Sequence, residues 1–319
     1  MSHRGDGPYS WTRWTDRFGR PTPFFYQLIL DLWNKADDLD KAQDDTALAQ
    51  IAALRKDFEE LGLDFGLEVA KGNVPGHSAI NKYGKNTNIA SGTTAAVWSA
   101  GLVGGNLIWD APTAARTHTI SSDDADDTTG GAGARTVEVF GLTSWSTSEV
   151  SETVTMNTAS PPVTNNSYVI IHRMKVITSG GTAGANQGTI IATATDDATV
   201  TAEILPLEGQ TMMAIYGISS LESIYINELG AVVGKAGGAA TGFVDIDLLV
   251  NPEPDSQLAA FTHKHHFGLS AAGSSGLVVP FNPPKCIAGP AIIKVQADSG
   301  TNGMDVGAWF NGTVITNGF

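Results

Sequence analysis

The segment Phe261–Gly268, FTHKHHFG, holds three of the seven histidines of the chain and is a candidate metal-binding sequence. Residues two apart in a β-strand share a face, so we expect His263 and His265 to point together and His266 to point the other way. Around a threefold axis, two such histidines per chain would give six imidazoles, a complete octahedral shell for a transition metal such as iron or nickel. Histidines that only line a surface or an interface are the alternative interpretation.

Aspartates cluster in the segment 121–135, SSDDADDTTGGAGAR, where neighbouring hydroxyl groups add further oxygen atoms. Such oxygens are the ligands that Ca²⁺ prefers. The spacing departs from the EF-hand order, however, and the GGAGARTVE that follows lacks the aspartate of a calcium-binding β-roll repeat. The sequence therefore favours a solvated hairpin loop, with Ca²⁺ binding as the alternative. The aspartates concerned are Asp123, Asp124, Asp126 and Asp127.

No motif in the sequence indicates catalysis. The chain has no GxSxG nucleophile elbow, no HExxH zinc motif and no P-loop. A carboxylate pair that cleaves glycosidic bonds leaves no sequence signature, because only the separation of the two groups in space matters. We therefore predict a protein that is not an enzyme and has no cofactor, with the two metal sites above and carbohydrate cleavage as the open alternatives.

The chain is acidic, with 33 Asp and Glu against 19 Lys and Arg and a formal net charge of -14. Binding to nucleic acid through phosphate neutralisation needs the opposite sign, so we predict no nucleic-acid partner. No stretch approaches the roughly 20 apolar residues of a membrane span, and the first residues lack the apolar core of a signal peptide. We expect a protein that is made in the cytoplasm and has no membrane span.

An amphipathic helix is predicted near the N-terminus, in DRFGRPTPFFYQLILDLW. Thr22 supplies an N-cap hydroxyl, and Pro23 fits the first turn of a helix. The apolar residues that follow recur at helical spacing and form one stripe. Trp and Arg, the residue types favoured at the centres of interfaces, lie close by. The predicted anchoring interface comprises Trp11, Trp14, Arg20, Pro21, Phe25, Leu28, Ile29, Leu32 and Trp33. Packing of these side chains on the chain's own first β-domain is the alternative.

A second helix is predicted to follow, with its apolar residues three and four apart, the spacing of a heptad seam. The predicted oligomer seam is formed by Ile51, Leu54, Phe58 and Leu61. Phe65 continues the pattern, and Gly62 and Gly66 are expected to end the helix. Two heptads are fewer than a coiled coil needs, so a helical hairpin packed on its own domain is the alternative.

From Asn73 onward the hydrophobic period changes to two, which predicts β-strands. In RTVEVFGL, Val137 and Val139 share a face, and in GFVDIDLLV, Val244, Ile246 and Leu248 oppose two aspartates. Gly, Asn, Asp and Pro clusters separate many such runs at nearly regular spacing. This organisation predicts a mainly β fold of antiparallel β-sandwich or jelly-roll domains, preceded by a short N-terminal α-helical segment.

Three regions are predicted along the chain. Residues 1–72 form the helical attachment segment, residues 73–160 a first β-domain, and residues 161–319 a second, larger β-sandwich domain. The last boundary is placed at NTASPPVTNN, residues 157–166, because its prolines and asparagines are typical of a connector. A single sandwich that uses strands from both sides is the alternative.

Two stretches are similar to known proteins. FGRPTPFFYQLILDLW resembles the GRPTP, helix and Trp opening of many structural proteins of tailed bacteriophages, including tail, fibre and baseplate components. The matching positions are Gly19, Arg20, Pro21, Thr22, Pro23, Phe25, Leu32 and Trp33. From VPGHSAINKYGKN to the C-terminus, through TISSDDADDTTGGAGARTVEVFGL, SYVIIHRMKV and EGQTMMAIYGI, roughly three quarters of the chain resembles β-rich virion proteins of short-tailed phages common among marine viruses.

The resemblance implies a structural component of a phage virion, made in the host cytoplasm and located in the particle. It implies a fibre-like or spike-like homotrimer that contacts other virion proteins, projects β-domains and takes part in host adsorption through a surface glycan or protein. A capsid decoration or head-fibre protein is one alternative. A carbohydrate-binding or carbohydrate-cleaving adhesin is the other, and Trp and Tyr exposed on a sandwich face would favour it.

Overall fold

The structure is a computed structural model that describes residues 64–99, 108–181, 184–235, 242–256, 260–271 and 274–318. The predicted anchoring interface, from Trp11 to Trp33, and the predicted oligomer seam, from Ile51 to Leu61, lie outside the described residues. The chain divides into two compact units, residues 1–78 with 316–319 and residues 79–315.

The described part of the first unit contains one short helix, α1 (Phe65–Ala70). Asp64 caps it, because its Oδ1 accepts hydrogen bonds from the backbone N–H groups of Gly66 at 2.9 Å and Leu67 at 3.3 Å. Gly66, which we expected to end a helix, lies instead in the first turn of α1, where the cap starts it. In the described part of the chain, no helix has the length and apolar character of a membrane span.

Fifteen strands make up most of the described residues, and the predicted mainly β, antiparallel fold is confirmed. They are β1 (His77–Ile89), β2 (Thr93–Ala96), β3 (His118–Ser122), β4 (Ala134–Leu142), β5 (Val150–Thr155), β6 (Ile170–Ser179), β7 (Ile190–Ala194), β8 (Val200–Ile204), β9 (Ile215–Ile218), β10 (Glu222–Lys235), β11 (Gly242–Asn251), β12 (Thr262–Ala271), β13 (Ser274–Ala288), β14 (Ala291–Ser299) and β15 (Met304–Thr316).

The first sandwich consists of a four-stranded and a five-stranded sheet. The first sheet has the order β1-β15-β10-β13, and the second has the order β12-β11-β14-β2, with β9 also paired to β14. Strand alternation produces the core between them: in β15, Val306, Ala308 and Phe310 are buried, whereas the residues between them are half-buried. These side chains join those of β10, β11 and β14 in one apolar cluster.

The second sandwich consists of two three-stranded sheets, in the orders β3-β7-β8 and β5-β4-β6. Its core contains Val137 and Val139 of β4 together with two fully buried tryptophans, Trp98 and Trp109. Ile292 of β14 also belongs to this core, so the two sandwiches share packed apolar residues.

The strand order differs from the predicted division of the chain. Strand β4 pairs with β5 and with β6, so strands from both sides of the predicted boundary at 160/161 form one sheet. Strand β2 pairs with β14, which likewise joins the predicted domains 73–160 and 161–319. The second sandwich is inserted between β2 and β9 of the first. The proline-rich connector lies inside it, where Ile120 donates a backbone hydrogen bond to the Pro162 carbonyl at 2.8 Å.

Candidate functional site

The predicted metal-binding histidines lie on β12, where a β-bulge changes their directions. His265 pairs with Leu248 and His263 pairs with Leu249, so Lys264 is an extra residue in the strand. A bulge of this kind interrupts the alternation of side chains. His263 and His266 therefore lie on the same face, and His265 lies on the other, where its ring is 5.1 Å from that of Phe281.

His263 and His266 form an imidazole–carboxylate cluster with Asp245 and Asp247 of β11. The Nδ1 atoms of His263 and His266 lie 3.2 and 2.7 Å from the same oxygen, Oδ1 of Asp247. The Nε2 atom of His266 lies 3.7 Å from Oδ1 of Asp245. The hydrogen bond with Asp247 raises the pKa of His266 above its usual value. Burial, followed by the charges of Lys285 and His266, lowers the pKa of His265.

This geometry separates the two histidines that we predicted would bind a metal together. His263 and His265 point to opposite faces because of the bulge at Lys264, so one threefold axis would not collect both. Within the described residues, no group of three His, Cys, Asp or Glu side chains is arranged to hold a metal ion.

The aspartate-rich segment 121–135, predicted to be a solvated loop, is built around one buried carboxylate. Asp127 is fully buried, and its two oxygens accept hydrogen bonds from four groups. The donors are Ser122 Oγ at 2.6 Å and the backbone N–H groups of Ala134 at 2.7 Å, Gln187 at 2.8 Å and Gly188 at 2.9 Å. Since these donors occupy the carboxylate oxygens, Asp127 connects two loops instead of serving as a cation ligand.

A buried ionisable group lies where the two sandwiches meet. The Nζ atom of Lys82 in β1 donates a hydrogen bond to the backbone carbonyl of His172 in β6. The His172 ring lies 2.5 Å, Nε2 to Oε2, from Glu149 and packs at 4.6 Å between centroids on Tyr216. Burial, followed by the charge of Arg173, lowers the pKa of Lys82 to about 7. Sequence reasoning missed this group, because residues 82, 149 and 172 are adjacent only in the folded chain.

The outer face of the four-stranded sheet carries a second arrangement that sequence reasoning missed, which we call the Trp309 platform. Trp309 of β15 lies over Gly230 of β10, where a Cβ atom would come within 2.2 Å of the indole carbon Cζ2. Only glycine therefore leaves room for the ring in this position. The indole Nε1 donates to Oε1 of Glu228 at 3.2 Å, which fixes the ring across the sheet.

Two amide side chains extend the platform. Asn311 of β15 donates from Nδ2 to the same Glu228 oxygen at 2.5 Å, and Asn81 of β1 donates from Nδ2 to Oδ1 of Asn311. Val278 of β13 pairs with Gly230, and the side chains of Val278 and of Val232, two residues along β10, expose 47% and 48% of their surface. The sequence did contain one signal, since a period of two in DVGAWFNGTVI puts Trp309 on the face opposite the buried Phe310.

An open groove of about 390 Å³ lies near the loop after β4. Its lining includes Ser144, Ser146, Trp145 and Asp255. Trp145 is only 6% exposed and packs in the core of the second sandwich, so its ring face is not presented to a ligand. The Trp309 platform is therefore the better candidate for a binding surface.

Comparison with known proteins gives no family for this chain. No family model matches the sequence, and no curated protein is similar to it. Among solved structures, the VP2 subviral particle of infectious bursal disease virus is 11% identical, covers 77% of this chain and 73% of its own, and superimposes with a TM-score of 0.18. The Gx strain of the same virus gives 12% identity, coverage of 75% and 72%, and a TM-score of 0.18. Neither function nor family follows from similarity at this level.

Proposed function

We propose that this chain is a non-enzymatic structural protein of a virus particle. Its N-terminal segment attaches it to the particle, and its sandwiches project outward as part of a homotrimer that serves in host adsorption. The resemblance of FGRPTPFFYQLILDLW and of the β-rich part to tailed-phage virion proteins supports this role. A protein displayed on a particle must keep its shape outside the cell.

The observation that carries the proposal is the way in which the two sandwiches are joined. Ile292 of the first sandwich lies in the core of the second, and Lys82 of β1 bonds to the backbone of β6. The two segments that lead between the sandwiches also pair with each other, because the backbone N–H of Ala214, just before β9, donates to the carbonyl of Val97, just after β2, at 3.0 Å. Shared core residues and close backbone contacts favour one stiff body over two hinged domains.

The attachment is tested by placing charge on the predicted apolar stripe. The double variant Leu28→Asp, Leu32→Asp should remain soluble and β-rich by circular dichroism, yet be missing from purified particles of the virus that encodes it. An apolar helix face that carries two carboxylates loses the burial that would hold it on a partner. The amount of chain per particle is measured by quantitative mass spectrometry.

The matched control places the same two charges on the opposite face of the predicted helix, as Gln27→Asp, Asn34→Asp. This variant should enter particles as the wild-type chain does. Absence of the wild-type chain from particles would overturn the virion role. Normal incorporation of Leu28→Asp, Leu32→Asp would overturn the attachment through this segment.

A further inference from the structure

We propose that the Trp309 platform is a saccharide-binding site, with one pyranose ring stacked on the indole and its hydroxyl groups bound by Glu228, Asn311 and Asn81. The ligand class is a neutral pyranoside, either free or at the end of a glycan. This inference goes beyond a virion role and does not depend on it, because the site is complete within one chain.

The indole is available as a stacking surface. The indole atoms Cζ2, Cε2 and Nε1 would lie within 2.8 Å of a Cβ atom at Gly230, so the ring packs directly on the backbone of β10, and Trp309 remains half-buried on the outer face of the sheet. A pyranose has a face of C–H groups with partial positive charge, and the face of an aromatic ring carries the complementary negative charge. The hydrogen bond from Nε1 to Glu228 holds the ring in place before any ligand arrives. Little side-chain entropy is then lost on binding.

The polar groups next to the ring match the hydroxyls of a sugar. Both donors to Glu228, Trp309 Nε1 and Asn311 Nδ2, bond to Oε1, and within the described residues Oε2 accepts no hydrogen bond. Asn81 is exposed and uses Nδ2 on Asn311, which leaves its own carbonyl oxygen as an acceptor. A carboxylate oxygen, an amide oxygen and the second N–H groups of two amides thus lie in one row. Vicinal hydroxyls, which both donate and accept, are suited to such a row.

Other ligand classes fit this surface less well. A phosphate group or a nucleic acid would meet the Glu228 carboxylate on a chain with a net charge of -14. An apolar protein surface would bury Glu228 and two amides without supplying partners for them, which is costly. A saccharide supplies those partners and leaves Val232 and Val278 as apolar neighbours. Because the platform is shallow, we expect weak binding to single sugars that repetition on an oligomer or a particle would strengthen.

The test is saturation-transfer NMR on the full chain with methyl glycosides of glucose, galactose, mannose and N-acetylglucosamine. At least one of them should receive saturation on its ring C–H protons, and its titration gives a dissociation constant. Trp309→Ala should weaken that binding about tenfold or more, because it removes the stacking surface. Glu228→Gln should weaken it severalfold, since the charge-assisted bond to a hydroxyl is lost.

Two further variants keep the test decisive. Gly230→Ala leaves the side chains of Glu228, Asn311 and Asn81 unchanged but displaces the indole, so it should weaken binding even if Trp309→Ala does not fold. Thr313→Ala lies on the same face of β15, outside the platform, and should bind within about twofold of the wild-type chain. Absence of saturation transfer from all four sugars would overturn the proposal. So would wild-type affinity in a folded Gly230→Ala or Glu228→Gln variant. Particle incorporation is unaffected by any of these outcomes, so the virion role is tested separately.

Discussion

The Asp127 carboxylate accepts a hydrogen bond from the backbone N–H of Gly188 at 2.9 Å, although the two residues are 61 positions apart in the sequence. The other Asp127 oxygen accepts from the N–H of Gln187, so the side chain fixes the loop before β7 against the loop before β4. A buried carboxylate that receives several N–H groups is a strong local organiser, because each bond is charge-assisted.

Asp127→Asn should therefore be strongly destabilising. Asparagine offers one carbonyl oxygen and places an NH₂ group against backbone N–H donors, so at least one buried donor loses its acceptor. We expect a loss of about 3 kcal/mol in the free energy of unfolding. The measurement is urea denaturation followed by fluorescence. Asp126→Asn is the matched control, because Asp126 is exposed in the same loop, and it should change stability by less than about 0.5 kcal/mol. Equal stability of the two variants would contradict the prediction.

Local periodicity predicted the strands well, because a strand has a fixed period of two. In β11, Val244, Ile246 and Leu248 enter the core and Asp245 and Asp247 lie on the other face, as the sequence pattern indicates. Periodicity predicted the ends of helices and strands less well. Asp64 starts a helix where two glycines were expected to end one.

The arrangement of the strands and the composition of the site could not be predicted, because both depend on residues far apart in the chain. A segment that contains Pro161 and Pro162 resembles a connector in composition, yet it bridges to β3 within one sandwich. The bulge at Lys264 moves His265 away from His263, and no local pattern marks it. The Trp309 platform likewise needs Gly230, which lies 79 positions before Trp309 in the sequence.

The imidazole–carboxylate cluster should make stability depend on pH. Asp247 raises the pKa of His266, so the folded state holds a proton there more tightly than the unfolded state. The resulting stabilisation is fully present below the unfolded pKa, about 6.5, and is lost as pH rises through the higher folded value. The melting temperature of the wild-type chain should exceed that of His266→Gln most at about pH 5.5, and the difference should shrink towards about pH 8.5.

His265→Gln provides a control with the opposite sign. Burial lowers the pKa of His265, so the folded state holds its proton less tightly and His265 costs stability as pH falls. As pH falls, the melting temperature of the wild-type chain should therefore decrease relative to that of His265→Gln. Over the same range it should increase relative to that of His266→Gln. Parallel pH curves for the two variants would contradict the contacts described for β12.

Lys82 should also make stability depend on pH, but in this case the buried amine destabilises the folded state. Burial lowers its pKa from 10.5 to about 7, so between these values the unfolded state binds a proton that the folded state lacks. The free energy of unfolding then rises with pH between these two values, because proton binding stabilises the unfolded state less and less. Lys82→Met removes the buried amine and one hydrogen bond to the His172 carbonyl, which is worth about 1 kcal/mol. We expect Lys82→Met to have a higher melting temperature than the wild-type chain at about pH 6, and this difference should become smaller by about pH 10.

Lys85→Met, which removes a partly exposed ammonium paired with Glu208, controls for the change in net charge. A margin that stays constant with pH, or a Lys82→Met chain that is less stable at every pH, would show that the amine is not held uncharged between the sandwiches.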